Sequence, residues 1–270
     1  MIISRKIPKQ ILTAGIGLSI TFAVSCGEHD LGELYISSSG TEISSSGGSN
    51  VSSSSVSNSS AWISCGSRTE TFDPDLYECR AGDKIYLKTP VSYKGDTYDA
   101  VLIGAHTWMA KNLNYNVSGS RCYGNAESDC NKYGRLYDWE TARVVCPSGW
   151  HLPSDSDWGE LVSHVESDNG CSSCAAQHLK SKSGWSQSGN GIDTYGFSAL
   201  PGGKGSPNGG FIDAGNYGYW WTATEVSADY AYCKGMLYWI EYVIVEYRGT
   251  MVGSCNGGKT YLNSVRCVQD

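Results

Sequence analysis

With 270 residues and a formal charge of −7, the chain has room for one or two domains, yet only 17% of it is charged, against roughly a quarter in soluble proteins. It holds instead 33 Gly, 18 Tyr and 9 Trp against 4 Phe, a composition for turns and short strands rather than long helices. The first 25 residues carry three cations and no acid, so a chain cut there stands at −10; with no Lys/Arg cluster to offset that charge, nucleic acid is excluded as a partner.

Residues 1–25 read as an export signal. Arg5, Lys6 and Lys9 form a basic start, and residues 11–24 are apolar or small. That run is shorter than the ~20 residues of a membrane span and fits the apolar core of a signal peptide. It ends in Ala23-Val24-Ser25-Cys26, which resembles the lipobox of bacterial lipoproteins, so Cys26 is the expected lipid attachment site. A plain secretion signal cut near Cys26 is the alternative. Cysteine parity favours the lipid, because 11 Cys leave one sulfur unpaired in an oxidising compartment. Acylation of Cys26 accounts for it and leaves ten to form disulfides. The expected location is the cell envelope, lipid-anchored at the outer membrane or cell surface, with the membrane a partner through Cys26.

Residues 26–61 are expected to be a disordered Ser-rich tether. Between Ile36 and Ser60, 14 of 25 residues are Ser, and Ile36-Ser-Ser-Ser-Gly40 recurs as Ile43-Ser-Ser-Ser-Gly47. Such a stretch has too few apolar groups to offset the entropy of ordering. It spans roughly 25–30 Å as a flexible chain.

Residues 62–270 are then one folded domain, large enough to bury a core. Strands are expected at 84–87, at Tyr93, at 97–103 after a Lys94-Gly95-Asp96 turn, and at 107–109 after Gly104-Ala105. The clearest helix is 155–165: Ser154 and Asp157 make an acidic capping box. Trp158, Leu161, Val162 and Val165 share one face of it at helical spacing. Short helices are read at 138–144 and 175–180, and strands at 230–236, 241–247 and 261–268. Between the halves, residues 201–218 hold 7 Gly in 18 and read as a long loop, a class that is usually functional or disordered. The fold class is α+β: short antiparallel strands, two or three short helices and long loops.

No catalytic motif emerges. There is no nucleophile elbow, no phosphate-binding loop and no His-Glu-x-x-His pair. His29, His106, His151, His164 and His178 are scattered, so neither a metal site nor a cofactor is expected. Cys171-Ser-Ser-Cys174 reads as a structural bridge; redox use is the alternative, but the βαβ context of a thioredoxin-like site is missing. Asp155, Asp157 and Glu160 occupy a helix first turn, where they offset the macrodipole. What stands out is an aromatic supply in the carboxyl half: Tyr217, Tyr219, Trp220, Tyr230, Tyr232, Tyr238, Trp239, Tyr242 and Tyr247. Tyr and Trp serve equally as core filling and as recognition surface. Asn208, Asn216, Tyr217 and Tyr219, in or beside the Gly-rich loop, are the candidate ligand-binding residues.

Six ordered blocks carry a family resemblance. They are Ile103-Gly-Ala-His-Thr-Trp-Met-Ala-Lys-Asn-Leu-Asn-Tyr115, Tyr133-Gly-Arg-Leu-Tyr-Asp-Trp139, Cys146-Pro-Ser-Gly-Trp-His-Leu-Pro-Ser154, Tyr195-Gly-Phe-Ser-Ala-Leu-Pro-Gly-Gly203, Trp221-Thr-Ala-Thr-Glu225 and Ser264-Val-Arg-Cys-Val268. Together they resemble the Fibrobacter succinogenes major paralogous domain. The resemblance implies a C-type-lectin-like fold of the kind shared with formylglycine-generating enzyme, in which the amino- and carboxyl-terminal strands pair. On that fold the implied bridges are Cys146–Cys267, Cys122–Cys130, Cys65–Cys79, Cys233–Cys255 and Cys171–Cys174, although ten cysteines allow 945 pairings by sequence alone. No counterpart of the enzyme's catalytic thiol pair is recognised, nor either calcium motif of sugar-binding lectins. The expectation is a non-catalytic surface module for a polysaccharide or a protein partner. A structural or display protein without a dedicated ligand is the alternative, and a formylglycine-generating-type oxidoreductase a remote one.

Overall fold

The apolar runs Ala100-Val-Leu-Ile103 and Thr107-Trp-Met109 have two faces to bury, and they fold back on each other as the hairpin Ala100–Ile103 and His106–Met109. Gly104 turns it with φ +62°, packed so closely on His164 that a Cβ would lie 3.0 Å from the imidazole. The structure is a computed structural model and describes residues 62–80, 82–238 and 257–270. The export signal, Cys26, the Ser-rich tether, the expected strand at 241–247 and Cys255 lie outside the described residues.

The hairpin sits inside a six-stranded antiparallel sheet. Its order is Trp150–His151, Val268–Gln269, His106–Met109, Ala100–Ile103, Lys84–Leu87 and Tyr77–Arg80. A five-stranded sheet runs Ala231–Leu237, Tyr217–Glu225, Asn263–Ser264, Leu136–Tyr137 and Ser120–Arg121. It is antiparallel except where Trp220 meets Ser264. Among the described residues, four α-helices complete an α+β fold: α1 (Glu127–Tyr133), α2 (Trp139–Ala142), α3 (Asp155–Asp168) and α4 (Ala175–Leu179).

Two expected strands are each divided. The 97–103 segment breaks at Asp99 into Asp96–Tyr98 and Ala100–Ile103, which join different sheets. The 261–268 segment breaks into Asn263–Ser264 in the five-stranded sheet and Val268–Gln269 in the six-stranded one. Arg266 lies at that break, fully buried. It donates Nε and Nη2 to Asn112 Oδ1 at 3.0 and 2.7 Å, and Nη1 to the carbonyls of Met109 and Phe197. Asn112 Oδ1 also accepts from Trp220 Nε1 at 2.8 Å, and its amide donates to the Tyr133 carbonyl.

α3 starts where the sequence places it. Ser154 Oγ accepts from the Asp157 N–H and Asp157 Oδ2 from the Ser154 N–H, closing the capping box. The helix runs three residues beyond the apolar stripe, to Asp168, where Asn169 turns its amide back onto the Val165 carbonyl. Asp155 does more than offset a dipole: it forms an ion pair with the fully buried Lys234. Glu160 bonds His106 at 2.9 Å.

Strand periodicity of two feeds two cores. Trp220 packs with Trp108, Trp158, Leu161, Phe197 and Val268. Its neighbour Trp221 packs on the other side with Met109, Tyr137, Trp139, Val265 and Cys267. The structure bridges Cys65–Cys79, Cys122–Cys130, Cys146–Cys267 and Cys171–Cys174, and Cys233 is also disulfide-bonded. Cys146–Cys267 spans 121 residues, a loop size worth about 4–5 kcal/mol in the chain-entropy account.

The Gly-rich stretch departs from the expected long loop. Lys204–Gly205 and Phe211–Ile212 pair as a hairpin, Gly203 bridges Gly218, and 201–205 are buried. Its glycines admit backbone where no Cβ fits. At Gly203 (φ +63°) a Cβ would lie 2.4 Å from the Ile212 carbonyl oxygen.

Candidate functional site

The structure divides the four candidate residues. Tyr219 is 2% exposed; its hydroxyl donates to Asp213 Oδ2 at 2.9 Å and its ring lies beneath the Lys204 ammonium at 4.8 Å. Burial lowers the Lys204 pKa, with Asp213 opposing. Tyr219 is therefore core, which corrects its reading as a ligand contact: with its face covered it has no surface to offer. Tyr217, two residues away on the same strand face, stacks on it at 5.6 Å and 8° and is half-buried. Asn216 is half-buried at a turn where its N–H donates to the Asp213 carbonyl and its own carbonyl accepts from Tyr238. Asn208 is exposed at the tip of the 204–212 hairpin. None of the four lines the cleft beside this hairpin, although Pro207, the neighbour of Asn208, does.

That cleft measures about 440 Å³. It is lined by Ser120 and Arg121, by Asp138 and Glu140, by Ser206 and Pro207, and by Lys259, Thr260 and Leu262. A basin of about 620 Å³ continues from it, sharing Glu140, Lys259 and Thr260 and adding Asp229, Tyr230 and Tyr261. Together they make a groove lined by hydroxyls and by charges of both signs.

Local chemistry sets this lining. Asp138 caps α2, its Oδ1 accepting from the Thr141 N–H at 2.8 Å, an arrangement worth about 1 kcal/mol. The Asp138 N–H donates to the Gly119 carbonyl and the Trp139 N–H to that of Lys259, tying three of the lining segments together. Gly119 has φ +85°, and a Cβ there would strike Thr141 Oγ1 and Asp138 Oδ2. The Lys259 ammonium lies 4.4 Å over the Trp139 ring and forms an ion pair with Glu225. That pair lowers the Glu225 pKa.

Of these groove residues, sequence reasoning reaches Ser206 and Pro207, inside the Gly-rich stretch, and Tyr230, in the aromatic supply, and names none of the others as a ligand contact. The groove residues come from five separated segments, so no spacing joins them. The sole local signal is Asp138, readable as a helix cap.

The described histidines and cysteines are otherwise occupied. Among the described residues, three sets of donor atoms lie within 4.8 Å of one another: Cys171, Cys174 and His178; Cys122, Glu127 and Cys130; Glu70, His164 and Asp168. In the first two the sulfurs form disulfides, which leaves no thiolate to bind a metal. In the third, Arg68 is ion-paired with Glu70 and His164 Nε2 contacts the same carboxylate at 2.7 Å. Burial alone would raise the Glu70 pKa, but the hydrogen bonds from His164 and Arg68 and the Arg68 charge hold it far below the usual carboxylate range. Asp168 Oδ2 accepts from the Tyr195 hydroxyl at 2.7 Å, and Arg68 covers the Tyr195 ring at 4.0 Å. This closed network docks the 62–72 segment on α3.

No curated protein and no solved structure matches the chain. Against known families, residues 101–269 match the Fibrobacter succinogenes major domain. The match takes in all four helices, the buried Arg266 and the whole groove, while Arg68 and Glu70 precede it. Covering more than half of the sequence, it shows that the chain belongs to the Fibrobacter succinogenes major domain family.

Proposed function

We propose that this chain is a membrane-anchored surface lipoprotein, held by lipid on Cys26 and lifted by the 26–61 tether, whose 62–270 domain is a non-catalytic binding module for polysaccharide. The observation that carries the ligand class is the groove made by the two adjoining hollows, open and lined by Ser120, Ser206 and Thr260 hydroxyls beside both acids and bases. Polar groups fixed on strands and a helix cap suit a hydroxyl-rich polymer, which is recognised through many modest hydrogen bonds. A C-type-lectin-like arrangement is part of the proposal. The pairing of Val268–Gln269 with both His106–Met109 and Trp150–His151, and the Cys146–Cys267 bridge beside it, support it.

Polysaccharide pull-down and titration calorimetry on the mature chain test the ligand. Saturable binding, weakened at least about tenfold in Arg121→Ala and Glu140→Ala, is the expected result. Binding to envelope proteins alone would favour the protein-partner reading, and no binding to either a display role. For the anchor, metabolic labelling with a fatty acid should mark the wild type and not Cys26→Ser.

A further inference from the structure

We infer that Tyr230 is the stacking platform of the groove and that the ligand is an uncharged pyranose chain, an inference resting on the saccharide reading above. Tyr230 lines the 620 Å³ basin and is 50% exposed, whereas Tyr219 and the tryptophans of the neighbouring strand are buried. An exposed ring is ordinary by itself; this one sits on a fixed backbone. Its carbonyl accepts from the N–H groups of Val226 and Ser227 at 2.9 and 3.0 Å, and Tyr230 bridges Gly258. On either side, Ala231 N–H donates to the Gly257 carbonyl and Lys259 N–H to that of Asp229. A ring whose backbone is already ordered loses little freedom on binding. A tyrosine face offers flat apolar area beside a polar tip, matching a pyranose ring with its C–H face and its hydroxyl edge.

Charge decides between neutral and acidic sugars. The basin presents the carboxylates of Glu140 and Asp229 and the ammonium of Lys259. Lys259 is ion-paired with Glu225, and Arg143 with Glu140 at 3.4 Å. Both cations are thus engaged by protein carboxylates, and the chain as a whole is acidic. A uronate entering the basin would meet like charge, because the one cation lining the basin is committed to Glu225 and Arg121 lies in the adjoining cleft. A neutral sugar meets carboxylate acceptors for its hydroxyls.

The test is calorimetry on the mature chain with soluble β-glucan, xylan and mannan, and with polygalacturonate as the acidic probe. Tyr230→Ala should weaken binding to the neutral polymer about tenfold or more, Tyr230→Leu nearly as much, and Tyr230→Phe by less than about twofold, with unchanged thermal midpoints because the ring is half exposed. If Tyr230→Ala and Tyr230→Leu bind like wild type while Arg121→Ala does not, stacking is overturned and the groove reading stands. Tighter binding of polygalacturonate would overturn the neutral class. Failure of every polymer to bind would remove the saccharide reading itself, and this inference with it.

Discussion

Arg68 and Arg266 are both taken out of water, with 8% and 0% exposure, and they are satisfied by opposite means. Arg68 faces the carboxylate of Glu70, which His164 also contacts, so charge meets charge. Among the described residues no carboxylate bonds Arg266; one amide oxygen and two backbone carbonyls receive its N–H groups. Burial lowers its pKa to about 9, so it stays protonated through the acid range. Arg68 joins a segment that precedes the family match to α3. Arg266 lies within the match and joins the two sheets. Carbonyls do not titrate in the acid range, and a carboxylate does. The two devices therefore place a pH-independent lock at the domain's middle and a pH-dependent one at its amino-terminal border.

The largest expected effect comes from breaking the carbonyl-bound arginine. Arg266→Ala leaves Asn112 Oδ1 and the Met109 and Phe197 carbonyls short of donors in a dry site, and should cost about 4 kcal/mol or more. Urea unfolding checks this, and Arg266→Met with Asn112→Leu should lose less than the two single changes summed. Next, Glu70→Gln strands Arg68 and should cost about 3 kcal/mol. An Arg68→Met, Glu70→Leu double variant should recover most of that, whereas equal instability of both would refute the ion-pair account. The third test is acid. The folded pKa of Glu70 lies below its unfolded value of about 4.3, so its contribution is complete above that value and fades as pH falls below it. Stability measured from pH 6 to 2 should drop more steeply in wild type than in Glu70→Gln, and parallel curves would sink the assignment. Smallest is Tyr195→Phe, which removes a hydroxyl that donates to Asp168 and accepts from Asn169 at 2.7 Å each. It should cost about 1–2 kcal/mol and loosen the 62–72 segment in hydrogen exchange before the rest of the domain.

Local signals were legible where the physics is local. Ser154 and Asp157 announce the start of α3 because a capping box needs only residues three apart. Trp158, Leu161, Val162 and Val165 announce its buried face in the same way. Arg266 and Asn112 stand in quotable family blocks, yet their bond spans 154 positions, and nothing in either block declares the partner. Tyr219 shows the opposite failure. Its neighbourhood of glycines reads as exposed loop, but those glycines let strands close over the ring. The groove was out of reach because Arg121, Glu140, Tyr230 and Lys259 are brought to one side only when the five-stranded sheet is assembled.

The division of residues 263–269 between both sheets has a temporal consequence. A polypeptide emerging amino terminus first can form α3, the 100–109 hairpin and the 204–212 hairpin early, since each closes within its own stretch. Neither the seam between the sheets nor the Cys146–Cys267 link can form until those last few residues arrive. Some two hundred residues of aromatic-rich chain must wait in an unsealed condition, prone to sticking, until the closing strand is in place.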